Sequence, residues 1–171
     1  MEPANALEND GAMLLAQSDG CSVWQFCNDT GEGTMTVYDV FPGVVLSFND
    51  FHMEHYRSGF VPHGRMLAID HCREGQMEYT AKRGMVGYIT AGDVKLDRRH
   101  RHTGDFVFPS GHYHGLTAAF DLDTVGQSLS KEMPDFPVNP DEIISRFSLA
   151  DYPRILHGMT EAEHIFGELY R

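Results

Sequence analysis

The sequence predicts a mainly β fold, an antiparallel sandwich or small barrel, on three observations. Short runs of residues alternate apolar and polar side chains with a period of two. Turn clusters rich in Gly, Asn and Asp separate those runs at short spacing. No helical periodicity comes between them until about residue 139, which argues against a βαβ architecture with its crossover helices.

In chain order, residues 1–20 mix Glu, Asn, Asp and Gly with the apolar run 13–16, which reads as an arm with one helical turn and a partly disordered start. Residues 21–27 form a strand pattern, 28–33 a turn cluster, and 35–41 a second strand ended by Pro42 and Gly43. Val44, Leu46 and Phe48 then alternate with Val45, Ser47 and Asn49, before an irregular segment carrying His52, His55 and His63. Residues 66–72 read as a further strand running into Arg73, Glu74 and Gly75, after which Met77, Tyr79 and Ala81 share one face. Lys82, Arg83 and Gly84 supply a hairpin turn, 85–91 the returning strand, and Gly92 with Asp93 the next turn.

The stretch 105–122 joins a short β pattern, a Pro109-Ser110-Gly111 turn and a longer β pattern. In the longer one Leu116, Ala118, Phe120 and Leu122 alternate with Thr117, Ala119 and Asp121. His112 and His114 share the parity of the apolar set, so an unbroken strand would aim both imidazoles at a core or pocket. Further on, Asn139 can cap a short helix that has Pro140 in its first position and Ile143, Ile144 and Phe147 on its apolar face. Thr160 and Glu163 have capping-box spacing, and Ala162, Ile165, Phe166 and Leu169 continue at i, i+3, i+4 and i+7. That pattern is still running at Arg171, so the expectation is a fragment with more helix to follow.

With 171 residues and 42% hydrophobic content, the chain fits one domain, or a domain with a small appendage, and can bury a proper core. Thirteen Lys and Arg against 25 Asp and Glu give a net charge of −12, the wrong sign for holding nucleic acid by its phosphates. No apolar run approaches the roughly 18 residues of a membrane span, and the start lacks the basic residues of a signal peptide, so a cytoplasmic location is expected. Cys21, Cys27 and Cys72 are odd in number and form no C-x-x-C pair, which points to buried, reduced thiols. Lys95, Arg98, Arg99, His100, Arg101 and His102 make up the basic cluster; a solvated loop is expected there, with anion binding or contact with another domain as the alternative. Asp121 and Asp123 come without a nucleophile and base, so no acid–base role is assigned to them.

The segments 69–78, 91–94, 108–115 and 161–170, in this order, resemble the N-terminal sensor domain of AraC-type transcriptional regulators over roughly residues 31–171. The resemblance implies a cupin-like double-stranded β-helix, a jelly-roll barrel, followed by C-terminal helices. It divides the chain into an N-terminal arm and first strand (1–30), an effector-binding barrel (31–126) and a helical linker and dimerisation segment (127–171). The implied function is sensing of a small-molecule effector, such as a sugar or a small acid, by a homodimer whose helix-turn-helix domain lies outside this sequence. No catalysis, metal or cofactor, nucleic acid or membrane is expected of the chain itself.

Candidate effector contacts are His63, Tyr79, His112, Tyr113 and His114, since neutral imidazole and phenol both donate and accept hydrogen bonds. Ordinary structural roles are the alternative for each. Ile165, Phe166 and Leu169 are candidate dimer contacts, with packing on the barrel as the alternative. The other function considered is a metal-dependent cupin enzyme, an isomerase or dioxygenase, using His63, His114 and His102 around a divalent ion. Aligned on Gly75, that enzyme pattern keeps His63 but finds Val61 and Ala68 where a second His and a Glu belong. The motif ending at His114 is also one residue short, so a complete catalytic metal site is not expected.

Overall fold

Among the described residues eleven strands pair antiparallel in one continuous, curled sheet, followed by short helices. The computed structural model describes residues 12–62, 64–81, 84–99, 102–150 and 152–171. The strands are β1 (Met13–Ser18), β2 (Cys21–Asn28), β3 (Gly31–Phe41), β4 (Val44–His52), β5 (His55–Phe60), β6 (Met66–Thr80), β7 (Val86–Thr90), β8 (Val94–Arg99), β9 (His102–Val107), β10 (Tyr113–Asp121) and β11 (Arg154–Leu156). The helices are α1 (Val125–Glu132), α2 (Pro140–Arg146) and α3 (Thr160–Leu169). The order along the main sheet is β1-β2-β3-β4-β10-β6-β8-β11, while β7, β9 and β5 extend from the far half of β6. The fold class is therefore mainly β, a half-barrel of antiparallel strands with helices after it.

Strand β6 makes the curl. Its first half pairs with β8 and β10, and residues 76–80 pair with β7. The register against β10 slips between His114 and Gly115, and Gly75 sits at φ +82°, where an L side chain would be strained and its Cβ would strike the His112 carbonyl. The expected turn at 73–75 is thus a bulge inside one 15-residue strand, and it bends that strand from one layer of the barrel into the other.

Other elements differ from the sequence expectation for local reasons. Residues 13–16 are not a helical turn but part of β1, which hydrogen-bonds along β2 as an edge strand. The irregular His-bearing segment contains β5, paired with β9. The Asn139 side chain caps α2 as expected, accepting from the Asp141 N–H at 2.9 Å. At α3 the N-cap position falls on Met159, one residue before the expected cap, and Met159 makes no side-chain capping bond. The expected disorder at the start concerns residues 1–11, which lie outside the described residues.

The middle of the sheet, around β6, β8 and β10, is covered on both faces. Inside the curl, Trp24, Phe26, Phe51, Tyr79, Ile89, Phe106, Phe108 and Tyr113 form one apolar cluster. Outside it, Leu67, Val94, Leu96 and Leu122 meet Val125 and Leu129 of α1, with Ile143 and Ile144 of α2 and Phe166 of α3 packed against them. Leu116, Ala118 and Phe120 have the outer parity of β10, and Phe48, the outer residue of β4, meets Tyr38 and Tyr170 edge-on. No helix among the described residues is long and apolar enough to cross a membrane.

The three cysteines are free, but only Cys72 is buried; Cys21 is half-buried and Cys27 exposed, because Cys27 lies at the open end of β2. Burial, aided by the nearby Asp93 carboxylate, pushes the Cys72 thiol up to about 12. A thiol reagent at mildly alkaline pH is therefore expected to label Cys27 rapidly in the native protein and Cys72 only after unfolding. Peptide mass mapping reads this directly, and rapid native labelling of Cys72 would contradict its place in the wall.

Candidate functional site

The inner face of the curl encloses a cavity of about 640 Å³. It is lined by the odd-numbered residues of β3 and β4, among them Met35, Val37, Val45, Ser47 and Asn49, and by Tyr113, Thr117 and Ala119 of β10. Since the outer parity of both β4 and β10 is committed to helices and terminal aromatics, the mixed, less apolar parity is the one left facing inward. A belt of rings forms much of the wall. Phe51 stacks on Phe108 at 5.5 Å, Phe108 on Tyr113 at 5.9 Å, and Phe26 meets Tyr56 edge-on at 5.1 Å.

One side of the cavity is charged. Asp70 of β6 and Lys95 and Arg99 of β8 are each less than a tenth exposed. The Asp70 carboxylate accepts from Arg99 at 2.7 Å and from the Thr117 hydroxyl at 2.7 Å, and it pairs with Lys95 Nζ at 3.0 Å. Lys95 Nζ also lies 4.4 Å above the Tyr79 ring, a cation–π contact. Asp97 lies on the same parity of β8, half-buried, with an oxygen 3.8 Å from Arg99 Nε.

Burial works to raise the Asp70 carboxyl, but Arg99, Lys95 and the Thr117 hydroxyl outweigh it and hold the group well below the ordinary carboxylate range. Arg99 is desolvated too, yet Asp70 and Asp97 keep its guanidinium above its usual value. Burial, with Asp97 and Asp70 adding, pushes the Tyr79 phenol up to about 12, so Tyr79 is a neutral donor or acceptor at physiological pH. Two buried polar atoms beside this cluster have no hydrogen-bond partner among the described residues, Asn49 Oδ1 and Arg99 Nε.

Of the residues singled out from sequence, Tyr113 lines the cavity and Tyr79 stands behind Lys95. His112 and His114 do not line it, which corrects the expectation that they face a pocket. The expected strand parity holds for His114, but that parity faces outward, where the imidazole meets the Tyr170 ring at 5.7 Å. His112 precedes β10, and its Nδ1 stands 3.3 Å from the Ser110 carbonyl in the turn. His63 lies outside the described residues, as does the His102 side chain. Among the described residues no three His, Cys, Asp or Glu side chains converge as a metal would require.

The basic cluster is the part the sequence reading placed least well. Lys95 and Arg99 belong to a strand wall and not to a solvated loop. Two signals were available: Val94 and Leu96 alternate with Lys95, Asp97 and Arg99 as they would in a strand, and Asp70 interrupts the apolar run of residues 66–72 on the matching face.

On the reverse of β6, next to Asp70, His71 faces the terminal helix. Its ring stacks on Phe166 at 4.4 Å with only 6° between planes, and its Nδ1 lies 3.4 Å from the Tyr170 hydroxyl. The Arg73 guanidinium covers the Tyr170 ring at 4.7 Å. Phe166 thus packs on the barrel, while Ile165 and Leu169 on the same helix are exposed.

No protein-family model matches the sequence, and no curated protein matches it. Among solved structures the chain is similar to ethanolamine utilization protein Q from Salmonella typhimurium, at 15% identity and a TM-score of 0.43, over 64% of this chain and 94% of that one. It is similar to the EutQ protein of Clostridium difficile at 10% identity and a TM-score of 0.38, over 52% of this chain and 64% of that one. A mutant oxalate decarboxylase from Bacillus subtilis aligns at 11% identity with a TM-score of 0.41, over 79% of this chain and 40% of that one.

Proposed function

We propose that this chain is the effector-binding and dimerisation part of an AraC-type transcriptional regulator, a cytoplasmic sensor without catalytic activity of its own. The observation that carries the proposal is the cavity, about 640 Å³ with aromatic walls and a buried polar floor. Its volume falls in the range of small-molecule sites, and convergence of a few polar groups in an otherwise apolar hollow is how such sites orient a ligand. The sensing step is a population shift, in which the effector binds one arrangement of barrel and C-terminal helices better than another. Contact of α3 with the strand that bears Asp70 supports this, because the cavity and the helix share a wall. Exposed Ile165 and Leu169 give α3 an apolar edge for pairing with a second copy.

The test is thermal unfolding of the chain against a broad panel of sugars and small organic acids. A ligand present at about 100 times its Kd stabilises by about 2.7 kcal/mol, which raises Tm by several degrees in a chain of this size. The expected result is at least one such stabiliser, acting without added metal. A panel that leaves Tm unchanged throughout removes the support for a receptor.

A further inference from the structure

The unpaired atoms of the cavity define the chemistry of its ligand, on the footing that the barrel is a receptor. Arg99 lines the cavity, and its buried Nε–H lacks an acceptor among the described residues. Asp70 does not supply one: its bond from Arg99 comes from a terminal guanidinium nitrogen, Nη2, and its oxygens also take Lys95 and Thr117. Asp97 stands 3.8 Å away, beyond hydrogen-bond reach. No described residue supplies the acceptor, which leaves the Arg99 Nε–H open to one on a ligand, and in a desolvated site a carboxylate makes the strongest bond of that kind.

Asn49 asks for the opposite. The Thr117 hydroxyl gives its proton to Asp70, so the same oxygen can only accept from its other neighbour, and this orients the Asn49 amide with Nδ2 toward it at 3.4 Å. Oδ1 is left buried and without a donor. The exposed Asp19 and Asp39, and the half-buried Asp121, also line the cavity and disfavour any negative group not held by Arg99.

From these groups we infer that the cavity binds a monocarboxylic acid with an aromatic or aliphatic body, its carboxylate on Arg99 and a hydroxyl or amide donor near the acid on Asn49. The rings of Phe51, Phe108 and Tyr113 receive the body. The ligand is a single anion with one apolar end, oriented acid-inward.

The probes are phenylacetate and 1-naphthylacetate, their 2-hydroxy analogues, their carboxamides, and neutral monosaccharides, each titrated calorimetrically into the full chain. The expected result is that the acids bind and the carboxamides bind at least about 10-fold more weakly, with the 2-hydroxy acids tighter than the parent acids. Arg99→Gln is expected to weaken acid binding by about 10- to 100-fold, and Asn49→Ala to abolish the advantage of the 2-hydroxy group. The acid-to-amide ratio in the wild-type chain decides the matter even where a variant folds poorly. Carboxamides or sugars that bind as well as the acids overturn this inference and leave the receptor standing. Acids, amides and sugars that all fail to bind overturn both.

Discussion

Replacing Asp70 with alanine is expected to lower the unfolding free energy by about 3–5 kcal/mol, the cost of leaving a buried ion cluster without its counter-charge. Asp70 is the shared acceptor of Lys95, Arg99 and Thr117, and Lys95 and Arg99 have almost no contact with water. Its removal leaves two cations facing each other in a dry wall, with the half-buried Asp97 3.8 Å from Arg99 Nε. Against a typical domain stability of about 5–15 kcal/mol, this is a large share of the total. Lys95→Met should cost much less, because Asp70 keeps Arg99 and Thr117, and adding Lys95→Met to the Asp70 variant should recover part of the loss. Urea unfolding of the single and double variants measures all three. A cost under about 1 kcal/mol for Asp70→Ala would show that water reaches the cluster.

The same carboxylate is expected to contribute to the acid limit of stability. Its folded-state pKa is depressed, so its contribution is fully present above the ordinary carboxylate value, roughly 4, and is lost as pH falls below that toward the folded value. Unfolding free energy followed from neutral to acid pH should decline steeply below roughly pH 4 in the wild type, and more shallowly once Asp70 is gone.

The second large effect is expected on the outer layer. Leu67→Ala removes a fully buried side chain that packs with Val125 and Leu129 of α1 and with Leu149, and should cost about 2–5 kcal/mol. Trp24, fully buried in the inner cluster, is the one tryptophan and gives a fluorescence signal for the transition. Ala119→Val, on the cavity side of β10, adds volume where there is space, and should shift stability by less than about 1 kcal/mol. If the two substitutions cost the same, the assignment of faces in the sheet is wrong.

That assignment is also where the sequence misleads. Period-two alternation in β4 and β10 located the strands well, because alternation depends only on the backbone pleat. It could not say which parity faced the cavity. The usual inference, apolar side inward, assumes one dry face; here α1, α2 and Tyr170 cover the outer side, so Leu116 is buried, and Phe120 and Phe48 half-buried, away from the cavity. His114 went outward with them. Lys95 and Arg99 were hidden by the opposite habit, which reads a run of basic residues as solvated; their burial depends on Asp70, 25 and 29 residues earlier in the chain, and only the β6–β8 register brings them together. Asn139 and Pro140 were legible because a helix cap is local, whereas β11 is three residues long and exists only through pairing with β8.

Asp70 and His71 are consecutive in β6, and one is fixed in the cavity while the other is pressed beneath Phe166. At that point the barrel wall is a diaphragm one peptide thick, with the cavity on one surface and the last helix seated on the other. The two residues share one peptide, so the contacts of Asp70 with Arg99 and of His71 with Phe166 lie back to back in the same strand.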